Sequence, residues 1–360
     1  MESLGATQPH HGGPPANPPC GSLQHKEERI EQKSRKMLYP LKFTPVTREV
    51  VWGGSRLVAA GKKAPKGKNP DKIGESMEIC PLVEYESVAA NGYLKSNTLS
   101  ELIEVYMGEL VGERTYDKFG LEFPLLLKFL DVNDTLSVQV HPNDEFALQE
   151  HGTRGKTEMW YIIEATPEAA IYLDLKHSLT EEEYDSVVES GTIAQHLNRI
   201  PVQKGDAFLI PAGTIHSIDK GVLLAEVQET SNLTYRIHDW NRKDINGKMR
   251  ELHTDLAAEV VRLTPQEGLN LTKPARKGEA VELISCDQFT VNLLWVGGAV
   301  ELDYAPLDSF VAYMCTEGEV VVSCCGESEK LSALQTILLP AEATDVVVKG
   351  EGKLLEIYIK

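Results

Sequence analysis

The sequence predicts a mostly β protein built as tandem jelly rolls with a few helical inserts. Three observations predict it. From about residue 38 onward, short β-branched or aromatic runs follow one another, parted by Gly, Pro, Asn and Asp. Helical spacing of apolar residues is confined to a few segments between such runs. A strand–turn–strand pattern from the middle of the chain returns near its C-terminus.

Residues 1–36 are rich in Pro, Gly, His and charge and lack the apolar core of a signal peptide, which predicts a disordered N-terminal tail. Met37 opens the first hydrophobic segment. Strands are expected in "LYPLKF" (38–43), "SMEICPLV" (76–83), "FPLLLKFLDV" (123–132) and "TLSVQVH" (135–141). Further strands are expected in "EMWYIIEA" (158–165), "AAIYLDL" (169–175), "DAFLIPA" (206–212) and "GVLLAEVQE" (221–229). The lysine-rich "GKKAPKGKNPDK" (61–72) reads as a solvated loop.

Helical inserts are expected at about 97–112, 178–190 and 254–263. In the first, Leu99, Leu102, Ile103, Tyr106 and Leu110 share a face, Thr98 and Glu101 make a capping box, and Gly112 is a stop. Thr180 with Glu183 repeats the capping signature in the second.

The internal echo sets "YIIEATPEAAIYL" (161–173) and "GDAFLIPAGTIHSI" (205–218) against "YMCTEGEVVVS" (313–323) and "LQTILLPAEATDVVV" (334–348). Aligning Pro211 with Pro340 puts His216 opposite Asp345, and aligning Tyr161 with Tyr313 puts Glu158 opposite Phe310. The chain is therefore expected to divide into an equipped domain, 37–282, carrying the helical inserts, and a C-terminal jelly roll, 283–360, that keeps the strand pattern and loses the polar set.

Whole-chain totals narrow the function. The formal net charge of −18 argues against nucleic acid as a partner and requires that an anionic substrate be held by a few local cations. No apolar run approaches the roughly 20 residues of a membrane span. Six cysteines without a CxxC pair read as reduced and structural, which fits a cytoplasmic protein. Cys324 and Cys325 would point to opposite faces of a strand.

The chemistry gathers at "LSVQVHPND" (136–144). Alternation puts Leu136, Val138 and Val140 on one side and Ser137, Gln139 and His141 on the other. Gln139 and His141 are then roughly 6.5–7 Å apart at Cα, close enough to converge on one ion. "GKTEMW" (155–160) places Lys156 and Glu158 on a shared face, and "PAGTIHS" (211–217) places His216 just past a Pro- and Gly-containing turn. A jelly roll collects such strands into one cup. Gln139, His141, Glu158 and His216 supply two imidazoles, a carboxylate and an amide oxygen, a shell suited to Zn²⁺ and also to Fe²⁺, Mn²⁺ or Ni²⁺.

"EVQETSNLTYRIHDWNR" (226–242) adds Glu226, Arg236, Asp239 and Arg242. A plain Arg236–Asp239 salt bridge is one expectation; within the cup, Arg236 is a cation for a phosphate or an enediolate oxygen. The other histidines, His10, His11, His25, His151, His177, His196 and His253, read as surface or hydrogen-bonded residues.

These segments, with "YPLKFTPVTREVVWGGSRL" (39–57), "KIGESMEIC" (72–80), "FPLLLKFLDVNDTLSVQVHPND" (123–144), "GKTEMWYII" (155–163), "GDAFLIPAGTIHSI" (205–218) and "LTYRIHDWNR" (233–242), resemble the type I mannose-6-phosphate isomerases, zinc-dependent cupins, in their short bacterial form. The resemblance spans about residues 37–360. It implies one Zn²⁺ per chain on Gln139, His141, Glu158 and His216, and a substrate site with Ser137, Lys156, Glu226 and Arg236. The implied reaction interconverts mannose 6-phosphate and fructose 6-phosphate, moving a proton between C2 and C1 of the open-chain sugar through a cis-enediol.

On this reading Arg236, Lys156 and Glu226 are catalytic, with Glu226 the base, and Ser137, Lys156 and Arg236 contact the substrate. Asp239 orients Arg236. Met77 stands in "GESMEI", where relatives usually carry Trp. A monomer or homodimer is expected. Two alternatives share the same residues: an iron-dependent cupin dioxygenase, and a non-catalytic sugar-phosphate-binding cupin.

Overall fold

A computed structural model of the chain describes residues 37–244 and 246–360; the expected tail at 1–36, with His10, His11, Cys20 and His25, lies outside them. Residues 38–360 form one compact unit. Its strands begin with β1 (Phe43–Thr44), β2 (Val46–Gly54), β3 (Ile73–Ile79), β4 (Val88–Ala89), β5 (Leu125–Val132), β6 (Val138–Val140) and β7 (Glu158–Ala165). They continue with β8 (Ala170–Leu175), β9 (Leu197–Pro201), β10 (Ala207–Ile210), β11 (His216–Ile218), β12 (Val222–Glu229) and β13 (Tyr235–His238). The last are β14 (Ala280–Ser285), β15 (Thr290–Asp303), β16 (Val311–Cys324), β17 (Glu327–Ser332), β18 (Thr336–Leu339) and β19 (Asp345–Tyr358). The helices are α1 (Arg56–Ala59), α2 (Leu99–Val111), α3 (Glu113–Phe119), α4 (Asp144–His151), α5 (Glu181–Glu189) and α6 (Thr254–Val260).

Antiparallel pairing gathers most strands into three sheets. The first runs β10-β7-β12-β5-β2-β3 and the second β13-β6-β11-β8-β9. The third runs β14-β15-β19-β16-β17, with β18 paired to β16. β14 crosses the expected division at 282/283.

The first sheet is the middle layer, so β5 and β12 are buried on both faces and read as near-continuous apolar runs. On one face Leu127 and Phe129 of β5, Met159 of β7 and Val227 of β12 share a core with Met314 and Leu355 of the third sheet and with Phe289 and Phe310, which immediately precede β15 and β16. On the other, Leu130, Trp160 and Leu224 pack against Ile171, Leu173 and Ile218 of the second sheet. The outer face of the second sheet is covered by α5 and α6 through Tyr184 and Ala257. The third sheet closes on a core of its own, including Leu294, Tyr313, Val322 and Leu354. Its long strands approach closely at Gly318 and Gly350, where an added Cβ would clash with the carbonyls of Glu351 and Glu319.

Local signals explain the helix ends. Thr98 and Glu101 form the capping box of α2, Gly112 (φ 93°) ends it, and Thr180 with Glu183 caps α5. α4 was not expected, although Asn143 caps it and Gly152 closes it in the left-handed region. The strand expected at 76–83 is shifted to Ile73–Ile79, and Val83–Tyr85 forms a 3₁₀ turn; Pro81 lacks the N–H a strand would use.

Cys80, Cys286, Cys315, Cys324 and Cys325 are free thiols. Cys324 and Cys325 do not part to opposite faces. Cys325 lies in the β16–β17 turn at φ 55°, and both pack on the third sheet's core. No helix among the described residues is long and apolar enough to cross a membrane.

Candidate active site

The cup forms where the first and second sheets face each other. β6 and β11 are neighbours, with Gln139 directly opposite His216, and β13 brings Arg236 opposite Gln139. Glu158 enters from β7 on the facing sheet. One ligand atom each from His141, Glu158 and His216 falls within 4.8 Å of the others, and all three residues are buried. His141 Nε2 lies 3.7 Å from Glu158 Oε2, and His216 Nε2 lies 3.4 Å from Glu158 Oε1. His216 Nδ1 donates to the Thr214 carbonyl at 2.8 Å, so the Nε2 lone pair faces Glu158. The Gln139 amide nitrogen is 3.2 Å from His216 Nε2; turning the amide end for end presents its oxygen to the same space.

Burial drives His141 well below its usual value, helped by the Lys156 charge, and lowers His216 to about 4. Both rings are neutral and able to ligate. Burial raises Glu158 to about 7 against the pull of Lys156, whose Nζ is 3.0 Å away. His141 Nε2 and Glu158 Oε1 are buried without a hydrogen bond. Such orphaned groups cost about 1–3 kcal/mol each. Two neutral imidazoles, a carboxylate and an amide, with lone pairs left unused, fit a divalent cation.

Beside this cluster lies a cavity of about 310 Å³ lined by Ser137, Gln139, Lys156, Glu226 and Arg236. Lys128, Arg48, Glu75 and Arg250 complete its charged wall. Most of these charges are spoken for. Lys128 Nζ is 2.9 Å from Glu226 Oε2 and donates to Gln228 Oε1 at 2.6 Å, while Trp160 Nε1 donates to Glu226 Oε1 at 3.3 Å. Burial alone would raise Glu226, but the Lys128 and Lys156 charges outweigh it and leave it at about 2. Arg48 pairs with Glu75 at 2.8 Å.

Asp239 does not pair with Arg236. It is held by Arg250 at 2.5 Å and Arg242 at 2.9 Å. Arg236 donates through Nη1 to the Glu251 carbonyl, and its buried Nε has no hydrogen bond. The Ser137 hydroxyl lines the cavity 3.5 Å from Gln139 Oε1. Met77 packs with Cys80 and Leu126 and lies opposite Lys128 in the β3–β5 register.

Lys128, Arg48 and Arg250 line the cavity without being singled out by any motif in the sequence. Lys128 did carry a signal: a lone charge within an apolar strand run must find a buried partner. Arg48 and Arg250 carried none, since each reaches the cavity only through the tertiary path of its segment.

Residues 41–185 match the model of the phosphomannose isomerase type I catalytic domain. Mannose-6-phosphate isomerase ManA of Bacillus subtilis is 37% identical over 288 residues, 78% of this chain and 87% of its own. Mannose-6-phosphate isomerase of Streptococcus mutans is 34% identical over 288 residues, covering 79% and 88%. The crystal structure of the Bacillus subtilis mannose 6-phosphate isomerase superposes with a TM-score of 0.80 at 31% identity, covering 89% of this chain and 100% of that one. The apo enzyme from Salmonella typhimurium, at 16% identity and a TM-score of 0.72 over 90% of this chain and 100% of that one, shares the fold. These relationships favour neither a dioxygenase nor a binding module. The chain belongs to the type I phosphomannose isomerase family.

Proposed function

We propose that this chain interconverts mannose 6-phosphate and fructose 6-phosphate, using one Zn²⁺ per chain held by Gln139, His141, Glu158 and His216. The supporting observation is a conjunction. A buried His–Glu–His cluster with orphaned ligand atoms opens beside a cavity in which Arg236 has no carboxylate partner among the described residues. Free thiols agree with a cytoplasmic setting.

An ion on this ligand set supplies Lewis-acid polarisation at the reacting end of the sugar. The chain's own residues do the rest. Arg236 is the cavity cation left for a substrate anion, and its planar guanidinium suits a phosphate or a developing oxyanion. Lys156 Nζ and the Ser137 hydroxyl stand on the same wall and donate to sugar or phosphate oxygens, fixing the reacting carbons in register. Glu226 accepts the proton. Held at about 2 by Lys128, it is a weak base. A substrate hydroxyl that draws Lys128 away would strengthen it.

A coupled assay on mannose 6-phosphate, with and without a chelator, together with metal analysis of the purified protein, tests this. Turnover should vanish with the chelator and return with zinc. Full turnover in the metal-free protein would end the proposal.

A further inference from the structure

A second cavity, also about 310 Å³, lies on the far side of the first sheet from the active site. On β3, Met77 faces the catalytic side with Leu126, whereas Ser76 and Glu78 face the other way. Distant segments build the walls: Lys42–Pro45 leading into β2, Ala60–Lys63 at the start of the lysine-rich loop, Glu78 of β3, Ala90, and Leu334–Thr336 at the start of β18.

Three lysines and one glutamate line this cavity, so its charge opposes the chain's net −18. Lys62 and Glu78 neutralise each other at 2.6 Å, both nearly buried, and Ser76 donates to the same carboxylate oxygen. Two ammonium groups remain. Lys42 Nζ donates to the Lys330 carbonyl and is 3.9 Å from Glu329, a loose pairing. The exposed Lys63 is held by its backbone carbonyl, which accepts from Thr47, while its ammonium has no partner among the described residues. Thr336, 8% exposed, has a buried hydroxyl with no hydrogen bond. In the same wall Leu334 is held at φ 61°, a left-handed conformation that a leucine side chain disfavours and that clusters at binding sites.

We propose that this cavity binds a small phosphate monoester, with Lys42 and Lys63 against the phosphate and the Thr336 hydroxyl bonded to it. Lysine is a compact point charge with three donors and needs no bidentate fork to hold a phosphate. The volume leaves room for an organic body beyond the phosphate, and Phe43 and Leu334 supply apolar wall. β3 joins the two cavities: Glu78 lines this one, while Glu75, three residues earlier, lines the catalytic one and pairs with Arg48. The site is separate from the catalytic centre and stands without the isomerase reading.

Isothermal titration of the full chain with glucose 6-phosphate tests it, on wild type, Arg236→Ala and the double variant Lys42→Gln/Lys63→Gln. Two binding events are expected in wild type. Arg236→Ala should weaken one by tenfold or more, and the double variant the other by tenfold or more. Both substituted lysines are at least partly exposed, and an unchanged thermal midpoint verifies folding. Wild-type stoichiometry and affinity in the double variant would overturn the proposal, as would loss of all binding in Arg236→Ala. Failure of the Arg236 arm alone would count against the catalytic reading and leave the second site supported. Inorganic phosphate should bind the lysine site at least tenfold more weakly than the ester; equal affinity overturns the assignment of an organic body.

Discussion

Two buried glutamates separate the two β regions of the molecule. Glu356, on β19 in the third sheet, accepts a hydrogen bond from the Tyr304 hydroxyl and another from the Asn292 amide at 2.6 Å, and Tyr313 joins through Tyr304. Glu158, on β7, faces two neutral imidazoles and keeps an oxygen with no hydrogen bond. Buried polar groups in folded proteins are nearly always satisfied. Glu356 has that demand met by side chains of its own region. Glu158 leaves it open, and does so beside a cavity. A self-satisfied network specifies a core, whereas an unsatisfied one asks for a ligand.

The comparison breaks most completely if His216→Ala or His141→Ala retains its metal. Either substitution should remove bound zinc and lower turnover by about a thousandfold or more, read by metal analysis and the coupled assay. Full metal and full activity in either variant would erase the distinction between the two glutamates.

Arg236→Ala sharpens it. Metal content should stay at one per chain while kcat/KM falls by about a hundredfold or more. Arg236→Lys should restore part of the loss; equal damage by lysine with a lowered melting temperature would make Arg236 a structural residue.

A smaller effect concerns protons. In the metal-free protein Glu158 takes up a proton near pH 7, while His216, at about 4, stays neutral. The ion requires the ionised carboxylate, so zinc affinity should fall by about tenfold per unit as pH drops below 7 and level off above it. A flat affinity between pH 5.5 and 7 would contradict the raised Glu158. The sign for stability follows the same linkage: the raised carboxyls Glu158 and Glu229, both near 7, favour the metal-free fold at low pH and lose that contribution as pH rises through 7. Saturating zinc should remove the Glu158 share.

The smallest change is expected in the C-terminal region. Tyr313→Phe leaves the Tyr304–Glu356 bond in place and should cost about 1 kcal/mol in stability, measured by denaturant unfolding, with kcat unchanged. A tenfold loss of turnover would mean the two regions are coupled.

The internal echo shows how far a pattern carries. It sets Glu158 against Phe310 and Tyr161 against Tyr313. Phe310 and Tyr161 pack in the core shared by the first and third sheets, whereas Tyr313 lies inside the third sheet's own core and Glu158 inside the cup. Because strand faces alternate every residue, an alignment slipped by one position exchanges inside for outside. Likewise Asp345, opposite His216 in the echo, is exposed at the start of β19.

Around β6 and β7 two pairs were legible because alternation along a strand is local: the period of the backbone puts Gln139 with His141, and Lys156 with Glu158, while it says nothing of how His216 on β11 joins them. The capping boxes of α2 and α5 were legible for the same reason, since their hydrogen bonds close within three residues. Tertiary structure alone decided which charges meet. Lys128 finds Glu226 across 98 positions of sequence, and Asp239 passes over Arg236, three residues before it, for Arg242 and Arg250. Ion pairing depends on distance and desolvation in three dimensions, and neither is encoded in the spacing of the partners along the chain.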